Sequence, residues 1–237
     1  VKIKIILFFL KIYFLIFSNT AYTKEIILKS HQQYPIDYLM KTSPDQKGLL
    51  IYHGLGTGKT FLSLGFIEQY PNNKIILMMP RFLISSWQIQ MKDFGVSNPS
   101  RVEIISFTDA PEKLEGRDLS DTIVVIDEVH RLVESILQPS GSNKKNYGRV
   151  YYQLLKAKRL LALTGTPIFS HASNMSYIAN LIMGEEKYTY NPELFKQDYI
   201  KINRGLSYIR GYFTESKLNT IFIPLFFTAV AFPLSII

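Results

Sequence analysis

The chain has 237 residues, of which 47% are hydrophobic and none is cysteine; 27 Lys and Arg against 19 Asp and Glu give a formal charge of +8. That is material for one large α/β domain with its own core, and the absence of cysteine excludes a disulfide framework or a thiolate zinc site and fits a reducing compartment. The basic balance admits nucleic acid or anionic lipid as a partner and selects neither.

Taken in order, the chain opens on an apolar stretch, residues 5–17, behind Lys2 and Lys4 and interrupted by Lys11. Basic start, apolar centre and the small residues Ser18 to Ala21 resemble a signal peptide, yet the uninterrupted pieces are short for a membrane span. An export signal, an anchor, a buried element and an artefact of a mis-assigned start all stay open. Residues 25–47 are amphipathic, with Ile36, Leu39 and Met40 at helical spacing. The apolar run 49–52 predicts a strand, and 61–67 suits a helix. Further strands are expected at 74–79, 102–107, 122–126 and 160–163, with helices at 82–93, 149–158 and 172–183. In the helix 82–93, Phe82, Trp87 and Met91 are expected to pack. Residues 108–120 read as a polar connection and 138–148 as a flexible loop. Residues 221–237 are apolar again but carry Pro224 and Pro233. Strands alternating with helices imply a mostly parallel sheet covered on both faces.

Three strand ends carry chemistry. The first strand runs into His53-Gly54-Leu55-Gly56-Thr57-Gly58-Lys59-Thr60, the layout of a phosphate-binding loop, although the strict pattern has Gly where His53 stands. Glycines let successive N–H groups turn inward, and the following helix sets its positive end on the phosphates. Lys59 is expected to reach the β/γ-phosphates and the Thr60 hydroxyl to bind Mg²⁺. Asp127 and Glu128 end the strand 122–126, placed for Mg²⁺ binding through water and for activating the attacking water. Thr164, Gly165 and Thr166, before Pro167, end the strand 160–163.

The segments His53–Thr60, Asp127-Glu128-Val129-His130 and Thr164–Pro167 resemble motifs I, II and III of superfamily 2 helicase and translocase ATPases, in particular the Swi/Snf-like branch and the nucleoside triphosphatases of large DNA viruses. The resemblance implies a RecA-like P-loop NTPase domain over residues 25–185, ATP and Mg²⁺ as cofactors, and nucleotide binding by Gly54, Gly56, Thr57, Gly58, Lys59 and Thr60. It further implies catalysis by Lys59, Asp127 and Glu128 and coupling through Thr164, Gly165 and Thr166. Leu28 to Gln32 is similar to the upstream element whose glutamine reads adenine, which makes Gln32 the candidate. Pro80 to Trp87 resembles the motif that lies along a nucleic-acid strand, with Arg81 and Trp87 as candidate contacts and DNA ahead of RNA as the partner; Lys144, Lys145 and Arg149 sit on or beside the loop 138–148. Residues 204–211 look like the segment leading to a second motor domain. Residues 186–218 are then the start of that linker, 1–24 and 219–237 apolar appendages, and the second RecA-like domain, which supplies an arginine finger in this family, is expected to be absent. Such a protein is expected in the cytoplasm, or in a viral factory or virion, with membrane association through the apolar ends open. The expected function is the ATP-binding motor domain of a helicase-like, nucleic-acid-dependent ATPase, slow by itself. The alternatives are a degenerate nucleotide-binding scaffold or a membrane-tethered ATPase.

Overall fold

The computed structural model describes residues 27–42, 45–54, 56–137, 144–165, 173–203, 210–213 and 226–228. The apolar stretch 1–24, the loop 138–143, Leu55, Thr166, Pro167, residues 204–209 and most of the tail 219–237 lie outside that set.

A short helix, α1 (Ser30–Asp37), continues as a π-helical turn, Tyr38–Thr42, and leads to β1 (Gly48–Tyr52). Then follow α2 (Lys59–Glu68), β2 (Lys74–Met79), a 3₁₀ turn (Arg81–Leu83) and α3 (Ile84–Phe94). The chain continues through β3 (Val102–Ser106), α4 (Ala110–Lys113), β4 (Thr122–Ile126), α5 (Val129–Leu137), α6 (Lys144–Leu154) and β5 (Arg159–Thr164). Beyond them lie α7 (Asn174–Met183), α8 (Pro192–Tyr199) and an antiparallel pair, β6 (Ile200–Asn203) with β7 (Arg210–Phe213).

The sheet runs β3-β2-β4-β5-β1, all parallel, and a short β8 (Phe226–Thr228) joins it in parallel at β1. Parallel strands joined by crossover helices bury both faces, so they read as unbroken apolar runs. Residues Leu49–Ile51, Ile75–Met79, Thr122–Ile126 and Leu160–Thr164 are all buried. Side chains alternate between the faces. Leu50, Ile76, Met78, Val124, Ile126, Leu160 and Ala162 pack with residues of α4 to α7. Leu49, Ile51, Ile75, Leu77, Met79, Ile123, Val125, Leu161 and Leu163 pack with residues of α1, α2 and α3. The helix-forming face of residues 25–47 behaves as its spacing predicts: Ile36 and Leu39 are buried in that second cluster and Met40 packs on its edge.

Three expectations are corrected. The connection 108–120 contains α4, and Ala110, Leu114 and Leu119 are buried. The helix expected to begin at 149 begins at Lys144, because Tyr147, Val150, Tyr151 and Leu154 all face the core. Phe82 does not pack inside but stands 69% exposed beside the sheet edge.

Candidate nucleotide site

Parallel strands bring their carboxyl ends to one edge, where open α/β sheets bind ligands. Here that edge gathers the ends of β1, β4 and β5, three segments far apart in the chain.

The loop after β1 takes its shape from glycine. Gly56 and Gly58 have φ of +76° and +81°, the left-handed region that side-chain-bearing residues avoid. Gly58 is the N-cap of α2. A Cβ on Gly58 would sit 2.2 Å from the Gln32 amide nitrogen, whereas a Cβ on Gly54 or Gly56 would meet no atom of the described residues within 4 Å. The loop is therefore closed on its α1 side and open on the other, as a cradle for an anion requires. Lys59 Nζ donates to the carbonyls of His53 (2.9 Å) and Gly54 (3.2 Å). Among the described residues Lys59 forms no ion pair. An ammonium held only by neutral carbonyls suits an incoming polyphosphate. Thr60, partly buried, is the second residue of α2. At the other end of α2, the Arg101 guanidinium donates to the carbonyls of Ile67 and Tyr70 and to Glu68, capping the helix that carries Lys59 and Thr60.

Gln32 is 6% exposed, and its amide is engaged at both ends. Its Oε1 accepts from the Lys29 backbone N–H at 2.9 Å and its Nε2 donates to the Gly58 carbonyl at 3.0 Å. In this conformation it ties α1 to the phosphate loop, and reading adenine requires exchanging those bonds. His31 joins the same seam: its Nε2 lies 2.9 Å from the Thr57 carbonyl, and its ring packs edge-on against His53 at 6.0 Å. His53 is buried, and among the described residues neither ring nitrogen has a hydrogen-bond partner. Burial, helped by His31 and the Lys59 charge, pulls its pKa down to about 4.

At the end of β4, Asp127 is buried and accepts two bonds, from the Trp87 indole N–H to Oδ2 (2.9 Å) and from the Glu128 backbone N–H to Oδ1 (3.0 Å). Burial raises its pKa; the Trp87 bond and the charge of Lys59 work in the opposite direction. Glu128 has φ of +52°, the sole non-glycine residue in the left-handed region among those described. Its Oε2 lies 3.3 Å from His130 Nδ1, which also sits 2.9 Å from Thr164 Oγ1 at the end of β5. Burial lowers the pKa of His130, and the charge of Glu128 works in the opposite direction. Gly165 follows at the same edge, 3.8 Å from the His53 carbonyl at its Cβ position. Thr166 lies outside the described residues.

The donor set fits Mg²⁺ only in company with phosphate. Among the described residues no group of three His, Asp or Glu makes a self-sufficient metal site, and Mg²⁺ in nucleotide sites is held by one or two protein oxygens plus phosphates and water. Thr60, at the start of α2, and Asp127, at the end of β4, are the candidates for those oxygens.

The candidate strand contacts fare unequally. Arg81 is exposed at the end of β2, where it pairs with Asp109 and Thr108. Trp87 is corrected: at 1% exposure, with its N–H on Asp127, it has no surface to offer a nucleic acid. Phe82, expected in the core, is the exposed aromatic instead, with the Arg131 guanidinium 5.7 Å from its ring centre. Arg149 is exposed and faces Glu115; the side chains of Lys144 and Lys145 lie outside the described residues. Sequence reading missed the Trp87–Asp127 bond and the roles of His31 and His130, which depend on contacts 26 to 40 positions apart.

In fold and in the order of its motifs the chain is similar to superfamily 2 helicase-like ATPase domains. No family profile matches the chain. Its relatives are viral: a "Termination factor NPH-I homolog" of African swine fever virus is 26% identical over 74% of this chain and 30% of that protein. "Nucleoside triphosphatase I" of Melanoplus sanguinipes entomopoxvirus is 21% identical over 78% of this chain and 31% of that protein. The chain thus spans about a third of the length of these relatives. Among solved structures, the Sulfolobus solfataricus SWI2/SNF2 ATPase core in complex with dsDNA superposes with a TM-score of 0.50 at 14% identity, covering 74% of this chain and 39% of that one. At that identity the likeness is one of fold.

Proposed function

We propose that this chain binds ATP with Mg²⁺ and hydrolyses it as the first motor domain of a helicase-like, nucleic-acid-dependent ATPase. The observation that carries the reading is the meeting of Lys59, Asp127, Glu128 and Thr164 at one sheet edge, with Lys59 close enough to lower the pKa of Asp127. In this reading Lys59 and the loop N–H groups bind the β/γ-phosphates, Thr60 and Asp127 hold the cation, and Glu128 orients and deprotonates the attacking water. Bound Mg²⁺ supplies charge neutralisation at the phosphates. Glu128 and Thr164 both meet His130 at Nδ1, so a shift of the β5 end would reach the water-activating carboxylate through that ring.

Nucleic acid as partner is supported by the basic charge and by the similarity to viral relatives, some of them named as ATP-dependent RNA helicases; DNA is the form we favour, with RNA as its rival in the same assay. The test is ATP hydrolysis by the purified chain with and without duplex DNA and RNA, alongside Glu128→Gln. Binding of a fluorescent ATP analogue that is lost in Lys59→Ala, with hydrolysis lost in Glu128→Gln, is the expected result. Analogue binding indifferent to Lys59→Ala overturns the site. Tight binding with no hydrolysis under any condition would instead favour a nucleotide-binding scaffold.

A further inference from the structure

α3 is an amphipathic helix of which Trp87 alone is buried. A buried indole N–H needs an acceptor, and this one finds a carboxylate: Asp127 Oδ2, 40 positions further along the chain. The second oxygen, Oδ1, takes the N–H of the next residue, Glu128. One donor from a neighbouring residue would leave the carboxylate free to turn about its Cβ–Cγ bond. Two donors, on different oxygens and from different elements, fix its plane while each oxygen keeps a lone pair. Bonds from N–H groups to a buried carboxylate belong to the stronger class, and this one opposes the burial that disfavours the ionised form.

We propose that Trp87 is a positioning residue for divalent-cation binding: its indole N–H holds Asp127 Oδ2 so that the carboxylate faces the cation of a bound Mg·nucleotide. The inference rests on the reading of this edge as a Mg·ATP site. Trp87 touches neither substrate nor cation in this role; it acts through Asp127.

Trp87 is also the single tryptophan of the chain, so its emission reports on this bond directly. The experiment titrates Mg²⁺ against the full chain holding a non-hydrolysable fluorescent ATP analogue, in wild type, Trp87→Phe and Asp127→Asn. Phenylalanine keeps most of the buried aromatic area and removes the N–H. In Trp87→Phe the Mg²⁺ concentration for half-maximal effect is expected to rise about tenfold, the lower end of what lost outer partners of a metal-holding group cost. Affinity for the analogue without Mg²⁺ should stay unchanged, whereas a merely structural role would lower both together. Wild-type Trp87 emission is expected to shift when Mg²⁺ joins the bound analogue. An unmoved Mg²⁺ midpoint in folded Trp87→Phe overturns the proposal; so does wild-type emission that stays constant through the Mg²⁺ titration, which needs no variant to fold. If Asp127→Asn leaves the midpoint unmoved, the Mg·ATP reading of the site falls, and this proposal with it.

Discussion

His130 Nδ1 lies 2.9 Å from Thr164 Oγ1, which joins the first turn of α5 to the last residue of β5 across 34 positions of sequence. Thr164→Val keeps the β-branched shape in a strand where every side chain from Leu160 on is buried, and deletes the hydroxyl. We expect analogue binding within about threefold of wild type, since Thr164 lies outside the phosphate loop, but a loss of most of the stimulation of hydrolysis by nucleic acid. Steady-state rates with and without DNA check it; equal stimulation in both proteins would remove Thr164 from the coupling path.

Lys59→Ala removes the cation that now rests on the His53 and Gly54 carbonyls. Both carbonyls can take water at this edge, so the melting temperature should fall little. ATP affinity should drop at least about tenfold, or 1.4 kcal/mol, the loss of a charge-assisted contact. Fluorescent-analogue titration together with circular-dichroism melting separates the two effects.

Gln32→Ala cuts two bonds at once, the Lys29 cap of α1 and the tether to Gly58. Each such bond contributes about 1 kcal/mol net, so a destabilisation of about 1–3 kcal/mol is expected by denaturant titration. If Gln32 trades those bonds for adenine when ATP arrives, the variant also loses preference for ATP over GTP. Competition between the two nucleotides for the same fluorescent analogue measures that preference; equal affinities already in wild type would end the assignment to adenine.

The buried His53 gives stability a defined pH dependence. Its folded pKa, about 4, lies below the unfolded value near 6.5. Between those values the unfolded chain binds the extra proton, so stability falls as pH drops from about 6.5 towards 4 and is constant above that window. His53→Phe keeps an aromatic ring of similar shape and removes both unpartnered nitrogens. The variant should show a flatter melting-temperature profile across this window, whatever its absolute stability. A profile as steep as the wild type would place the acid sensitivity elsewhere.

Much of this architecture was legible because parallel strands leave long apolar runs: 74–79, 122–126 and 160–163 were expected as strands and stand as β2, β4 and β5. The glycines before Lys59 announced the loop, since only they tolerate φ near +80° there. What escaped is of two kinds. Lys144 and Asn146 look like loop residues in isolation, but Tyr147, Val150 and Tyr151 behind them pull the segment into α6 by packing on the core. Local composition carries no trace of that. Trp87 packs as expected, but its burial removes it as a strand contact, and Phe82 stands outside instead of packing; the deciding fact, an acceptor for the indole at Asp127, is remote in sequence.

Glu128 stands in the left-handed region at φ of +52°, and this bears on what selection has kept. Glycine in place of glutamate ordinarily costs about 0.5–1 kcal/mol through added chain entropy. At this one position relief of the left-handed conformation, about 1–2 kcal/mol, offsets it. Glu128→Gly is therefore close to neutral, or mildly favourable, for folding. A lineage screened only for a well-folded product would drift readily to glycine here. The presence of a carboxylate at the backbone position that least suits it is a mark of use rather than of architecture.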